Sequence, residues 1–365
     1  GTWMKRRHFV GGLAAAAGLA ACSKENADCE AGSTSTETFE WSAVTSWPPR
    51  YPGMGMAIYN VADAVERASS GRLKIKVYAG GELVPAFEVF DAVSRGTVEV
   101  GHDASYYHKG KVDAAQFFTA IPFGLNNAEM NGWLYHGGGL ELWRELYEPH
   151  NLIPFPCGNT GVQMGGWFNK DLNSIDDLKG LQMRIPGLGG EVLRRAGGTP
   201  VTLPGSEIFT SLQTGAIDAT EWVGPYNDLA FGLQKAARYY YYPGWQEPGP
   251  TLECMINKDA WESLPDDLKG IVEIACQAVN GDVAAEYTNG NVNALEQLVN
   301  DPTVELRAFP SEVLAYLRDI AEEVIEELVA NDPASAKIYA SFKAFKDKST
   351  LNQQISEQAY MATRE

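Results

Sequence analysis

Leu178 to Gly187 reads LKGLQMRIPG, and Leu212 to Trp222 reads LQTGAIDATEW. Between and within them the chain alternates between strand and helix character. Leu181–Ile185 and Thr199–Leu203 are short apolar strand segments, and Ile217–Trp222 is a third. Gly189–Ala196 and Ser206–Thr214 have helical spacing between them, although Phe209 stands where a capping box would place Glu or Gln. Strands that alternate with helices in this way build a parallel sheet covered by helices, an α/β architecture. Gly187-Leu188-Gly189-Gly190 follows a strand and opens a helix, as a dinucleotide fingerprint does, but Val192 replaces its third glycine. The stretch therefore reads as a tight strand-to-helix turn.

The same alternation occurs upstream. Phe39–Thr45 reads as a strand closed by Trp47-Pro48-Pro49, and a helix from Gly55 to Ala68 carries Ile58, Val61, Ala62 and Val65 on one side. Leu73–Tyr78 is a strand, a helix runs from Pro85 to Gly96, and Val98–Ala104 is the next strand. Downstream the pattern turns helical. Pro265–Val299 reads as one long helix that Gly281 and Gly290 are expected to interrupt. Ser311–Val329 is amphipathic, and Ala334–Ala362 is a third helical stretch with scattered aromatics. Two α/β blocks followed by helices, over about 325 residues, imply two lobes.

The N-terminal end reads as an export signal. Gly1 to Trp3 precede Met4 as a foreign remnant; Lys5-Arg6-Arg7 and the apolar Val10–Ala21 then give a signal-peptide layout. The paired arginines suit a twin-arginine signal and a Sec signal equally. Leu19-Ala20-Ala21-Cys22 resembles a lipoprotein box, which makes Cys22 a lipid acceptor and Ser23–Thr38 a polar tether. As a flexible coil such a tether would reach on the order of 20–25 Å. The net charge of −18 excludes a nucleic-acid binder, since no basic stripe exists to neutralise phosphates. Of the five cysteines none forms a CxxC pair, which argues against zinc ribbons and thioredoxin chemistry; a Cys157–Cys254 disulfide is compatible with export.

Enzyme signatures are missing: no HExxH, GxSxG or phosphate-loop pattern occurs. His102, Asp103 and Ser105 lie close together, but neighbours on a strand point to opposite faces and do not form a relay by themselves. Arg184 ends a strand, where ligands of open α/β sheets collect, and its fork suits a carboxylate; spacing alone leaves a surface ion pair equally open. Glu221 and Glu247 stand in apolar, aromatic company (ATEWV and GWQEP), where an unpaired carboxylate is costly, although a solvated loop is the commoner place for Glu.

Asn159–Trp167 (NTGVQMGGW), LKGLQMRIPG, LQTGAIDATEW and Tyr239–Pro248 (YYYYPGWQEP), with GELVPAF (Gly81–Phe87) and YHGGGLEL (Tyr135–Leu142), resemble in order and spacing the solute-binding proteins of TRAP transporters, the DctP family. NTGVQMGGW, ATEW and YYYYPGW together resemble the branch typified by TakP, which binds 2-oxo acids and lactate. The resemblance implies a two-lobe periplasmic binding protein that catalyses nothing: lobe 1 over 39–158, lobe 2 over 159–246, a return to lobe 1 over 247–288, and lobe 2 with a C-terminal dimerisation helix over 289–365. It implies a carboxylate clamp at Arg184 and a cation, Na⁺ or Ca²⁺, held by Gln163, Glu221, the Trp222 carbonyl and Glu247. All-oxygen ligation suits such hard ions. Tyr106, Tyr107, Asn159, Trp222 and Trp245 are further substrate-site candidates, and Trp167 joins Trp222 and Trp245 as expected pocket walls. TRAP membrane subunits and a second copy of the chain are the implied partners. A dicarboxylate or aromatic acid, or a periplasmic enzyme using Glu221 and Glu247, are the competing readings.

Overall fold

A computed structural model describes residues 36–364. Its strands are β1 (Phe39–Thr45), β2 (Leu73–Tyr78), β3 (Val100–Asp103), β4 (Leu152–Asn159), β5 (Gly166–Phe168), β6 (Gln182–Arg184), β7 (Thr199–Val201), β8 (Ala219–Thr220), β9 (Tyr239–Tyr242), β10 (Thr251–Asn257) and β11 (Glu305–Ala308). They form two sheets, ordered β2-β1-β3-β10-β4 and β11-β9-β5-β8-β6-β7. In the first, β1 runs parallel to β2 and β3, while β10 is antiparallel to β3 and β4. In the second, β6 is parallel to β7 and β8, and β5 runs antiparallel to β8 and β9. The chain leaves the first sheet after β4, re-enters it at β10, and reaches β11 through the helix Asp266–Val299.

That helix is continuous for 34 residues, about 51 Å at 1.5 Å per residue. The expected breaks at Gly281 and Gly290 do not occur. Gly290 instead marks a close approach: a Cβ there would meet the Tyr226 ring at 2.5 Å. Leu268, Val272, Ala275, Val279, Val283 and Tyr287 are buried at helical spacing, so packing along this stripe holds the glycines in helical conformation. The helix Met54–Ala68 buries Ile58, Val61 and Val65 as its periodicity requires.

Other elements are shorter than the sequence suggests. The helix expected from Pro85 begins only at Val89 and ends at Ser94, because Pro85 to Glu88 form a turn closed by Glu88 N–H to Pro85 O at 2.9 Å. The strand expected over Ile217–Trp222 is reduced to Ala219–Thr220, since its continuation leaves the sheet to present Glu221 and Trp222. The third C-terminal stretch is two helices, Pro333–Ile355 and Glu357–Met361. Cys157, Cys254 and Cys276 are free and buried, so no Cys157–Cys254 disulfide is present; Cys22 and Cys29 lie outside the described residues. Among the described residues no helix is long and apolar enough to cross a membrane.

Candidate functional site

The parallel pairing of β6 with β8 sets Arg184 opposite Thr220, and the Glu221 N–H then donates to the Arg184 carbonyl at 3.0 Å. Sheet register alone therefore brings the Arg184 and Glu221 side chains together. Both are fully buried, and Nη1 of Arg184 donates to Glu221 Oε1 in a close ion pair. Nε of Arg184 donates to the Leu203 carbonyl at 3.1 Å, while Nη2 has only a long 3.4 Å contact with the Tyr107 hydroxyl. The fork is thus committed along one edge, and its open end points to Tyr107. Burial opposes the guanidinium charge, but Glu221, the tyrosines and Glu247 outweigh it and raise Arg184 above its ordinary value.

Glu247 belongs to the loop between β9 and β10 and is also buried. Its carbonyl accepts the Gln163 N–H at 3.1 Å, its carboxyl lies near Tyr106, and its Oε1 has no partner. Burial and the Glu221 charge push this carboxyl well above the usual carboxylate range. Gln163 donates through Nε2 to Thr160 Oγ1 at 3.2 Å, which turns its amide oxygen towards three other acceptors. These are the Trp222 carbonyl at 3.1 Å, Glu221 Oε2 at 3.1 Å and Glu247 Oε2 at 3.3 Å. Four oxygens thus meet in a buried space. Turning the amide over would let its nitrogen donate to them, but the Thr160 hydroxyl would then have to donate to the amide oxygen. A hard cation among the oxygens removes the conflict without that rearrangement, and the donor set fits Na⁺ or Ca²⁺.

The adjoining cavity is small, about 10 Å³, and Gln163, Glu247, Tyr106 and Tyr107 line its polar side. Tyr106 and Tyr107 sit in a single 3₁₀ turn, Ser105–His108, directly after β3. Thr119 Oγ1 fixes that turn by accepting the Tyr106 N–H at 3.0 Å. Gly187 lets Tyr106 pack this close: its φ of +67° is one that side-chain-bearing residues rarely adopt, and a Cβ would meet the Tyr106 ring at 2.9 Å. Burial raises both phenols, Tyr107 to about 12 and Tyr106 well above the ordinary value, so both stay protonated donors.

The side chains of two further expected residues have partners of their own. Asn159 uses its amide within the backbone, donating to Gly249 O at 3.0 Å and accepting from Gly161 N–H at 2.9 Å. Trp245 stacks on Phe123 with ring centroids 5.9 Å apart. Of the three tryptophans expected to wall the pocket, only Trp222 does so. Trp167 stacks on Tyr240 at 4.0 Å, and both donate to the buried Asp228, which burial pushes up to about 7. Trp47, Met54, Thr119 and Thr160 line the cavity without having been singled out from the sequence. Trp47 follows the end of β1, and the rule that ligands gather at strand ends was the available signal for it.

Residues 43–332 match the DctP family, bacterial extracellular solute-binding protein family 7. The chain belongs to this family. It is 43% identical over 361 residues, 98% of each chain, to the monocarboxylate 2-oxoacid-binding periplasmic protein of Nostoc sp.. A TRAP periplasmic solute-binding protein of Pseudoalteromonas atlantica with bound sodium and pyruvate superposes with a TM-score of 0.87 at 42% identity, covering 89% of this chain and 99% of that one. One from Colwellia psychrerythraea with bound calcium and pyruvate gives 0.88 at 41% identity, covering 90% and 100%. The two-lobe α/β architecture expected from the sequence is that of these DctP relatives.

Proposed function

We propose that this DctP protein is a receptor for a small 2-oxo or 2-hydroxy monocarboxylate, bound together with Na⁺ or Ca²⁺ and handed to TRAP membrane subunits. The convergence of the Gln163, Trp222, Glu221 and Glu247 oxygens beside Arg184 carries the reading. In it, Glu221 bridges the two halves of the site, with Oε1 on Arg184 and Oε2 on the cation. The substrate carboxylate would take the open Nη2 end of Arg184, with Tyr107 as a second donor, and a cation held by Gln163, Glu221, the Trp222 carbonyl and Glu247 would supply the further positive charge it needs. Two glutamates and one substrate carboxylate set three negative charges against one guanidinium. Ca²⁺ neutralises the set and Na⁺ leaves it at −1, so charge counting favours Ca²⁺.

A dicarboxylate would need a second cationic side chain beside Arg184, and the groups that act on Arg184 and Glu247 are acids and tyrosines apart from Arg184 itself. Structures of relatives with bound pyruvate favour a short acid. The lobes consist of 39–158 with 247–288, and of 159–246 with 289–365; they close on the ligand without chemistry. The C-terminal helices expose Leu351, Ile355, Tyr360 and Met361 beyond their last packed residues, the face on which a second copy would dock. Attachment to the membrane surface would run through Cys22. Calorimetry with pyruvate, lactate, longer 2-oxo acids and succinate, in Na⁺, Ca²⁺ or chelator, tests the assignment. Cation-dependent binding of the short acids is expected. Succinate binding more tightly, cation-independent affinity, or turnover of any acid would overturn it.

A further inference from the structure

His102 drew attention in the sequence because it stands beside Asp103 and Ser105, yet the structure separates the three. Ser105 Oγ pairs with Thr119 Oγ1 at 2.6 Å, and Asp103 faces His108 at 3.2 Å. His102 is fully buried on β3 and makes two bonds of its own. Its Nδ1 lies 2.9 Å from Trp47 Nε1, and its Nε2 lies 2.9 Å from the Cys157 carbonyl. An indole N–H can only donate and a carbonyl can only accept. The imidazole is therefore neutral, with its proton on Nε2 and its lone pair on Nδ1. Burial, which lowers His102 below its ordinary value, acts in the same direction.

Trp47 is where this bond matters. Its indole lines the cavity, lies 6.0 Å from the Tyr107 ring, and meets Trp222 edge-on at 6.2 Å. Trp47 comes from the first sheet's side of the cavity, while Trp222 follows β8 of the second and offers its carbonyl to the oxygen cluster. Its main chain is also tied down, with its carbonyl accepting the Gly80 N–H at 2.8 Å. With the backbone fixed, the His102 contact selects which face of the indole closes the cavity.

We propose that His102 is a positioning residue for ligand binding, acting as a neutral acceptor that holds the Trp47 indole in the cavity wall. The proposal rests on the ligand reading above. Asparagine places an oxygen near the Nδ1 position, and glutamine a donor near Nε2, so the two replacements separate the two bonds. In the full mature protein, His102→Asn keeps pyruvate affinity in calcium within about threefold, whereas His102→Gln weakens it about tenfold, the usual scale for a buried donor left unpaired. The Trp47 indole N–H resonance, assigned by its loss in Trp47→Phe, stays in place in the first variant and moves in the second. In the Trp47→Phe background, His102→Gln costs nothing further. Equal affinities for the Asn and Gln variants, or an undiminished tenfold loss without Trp47, would overturn the proposal. Should both His102 variants fail to fold, Trp47→Phe alone decides: affinity equal to that of the parent refutes a role for the bond. If the parent does not bind pyruvate, the ligand reading falls, and the resonance shift still judges the His102 contact.

Discussion

Two buried clusters in this protein each set two carboxylic acids against one base, and they resolve the imbalance differently. In the first sheet, His108 Nε2 lies 3.2 Å from Asp103 and 3.0 Å from Glu253, and the Tyr147 hydroxyl donates to Glu253 at 2.7 Å. Asp103 and Glu253 thus face the same imidazole nitrogen. Burial and the Asp103 charge push Glu253 up to about 8, while the two acids overcome burial and raise His108 to about 9. Near neutral pH the cluster is Asp103⁻, His108⁺ and neutral Glu253, so one proton balances it. In the cleft, Arg184 balances Glu221, and the Gln163 amide oxygen lies 3.1 Å from both Glu221 Oε2 and the Trp222 carbonyl and 3.3 Å from Glu247 Oε2. The contrast lies in the donor set: in the cleft an amide oxygen and a main-chain carbonyl join the two acids, and together these oxygens suit a hard ion.

The largest effect expected is from Arg184→Ala. It removes the guanidinium proposed to hold the ligand carboxylate and strands Glu221, at a cost on the order of 3–5 kcal/mol for a broken buried pair. Calorimetry should find no binding of pyruvate or lactate, and a melting curve should show lower stability; retained affinity would place the ligand elsewhere. Next in size is the cation. Glu247→Gln should weaken calcium binding by more than about tenfold, or 1.4 kcal/mol. Glu253→Gln, the matching change in the other cluster, should leave calcium stoichiometry and affinity unchanged. If Glu253→Gln also removed an ion, the two clusters would not differ as argued.

The proton-balanced cluster has its own signature in pH. His108 has a folded value above its ordinary 6.5, so its contribution is complete below that pH and is lost as pH rises through about 9. Glu253, raised from 4.5 to about 8, acts in the same direction, since the folded state keeps a proton that the unfolded chain has released. Asp103, which is lowered, matters only in acid. Chemical denaturation in chelator should therefore show stability falling by on the order of a few kcal/mol between about pH 4.5 and 9, through Glu253 first and, above 6.5, through His108 as well. A flat profile, or a rise, would contradict this proton balance. His108→Gln should remove most of this slope.

Much of the cleft was legible in the sequence because it is built at strand ends within continuous motifs. Arg184 and Glu221 belong to short segments whose strand character and apolar company are local properties, and parallel register then joins them. Glu247 stood out by its aromatic company, but its meeting with Gln163 could be placed only through family resemblance, since the two come together across loops distant in sequence. The Asn159 and Trp245 side chains are engaged in main-chain bonding and in stacking, which no local pattern announces. Trp47 was read only as the end of a strand, because its partners His102 and Trp222 lie far along the chain. Gly281 and Gly290 misled for the opposite reason: their low helix propensity is local, while the packing that overrides it is tertiary. The Asp103–His108–Glu253 cluster was invisible because Glu253 arrives on an antiparallel neighbour.

The smallest predicted effect is also the sharpest test of the contrast, because each cluster ends in one tyrosine. Tyr147 donates to Glu253 where the acid is buried away from the cavity, and Tyr106 lies near Glu247 where the acid faces the cavity. Tyr147→Phe removes one hydrogen bond worth about 1 kcal/mol, and Tyr106→Phe removes a phenol available to the loaded site, on the same scale. For Tyr147→Phe the loss should appear wholly in the melting temperature, with calcium and pyruvate affinities unchanged, since neither binding step alters the Glu253 environment. For Tyr106→Phe it should appear in the ligand-loaded protein, as a roughly fivefold weaker affinity for pyruvate in calcium. The cation-free protein should melt close to the parent, because a protonated Glu247 can find another acceptor among the Gln163 and Trp222 oxygens. If the two substitutions exchanged these signatures, the acid in the cleft would be structural and the one in the first sheet would be the functional group.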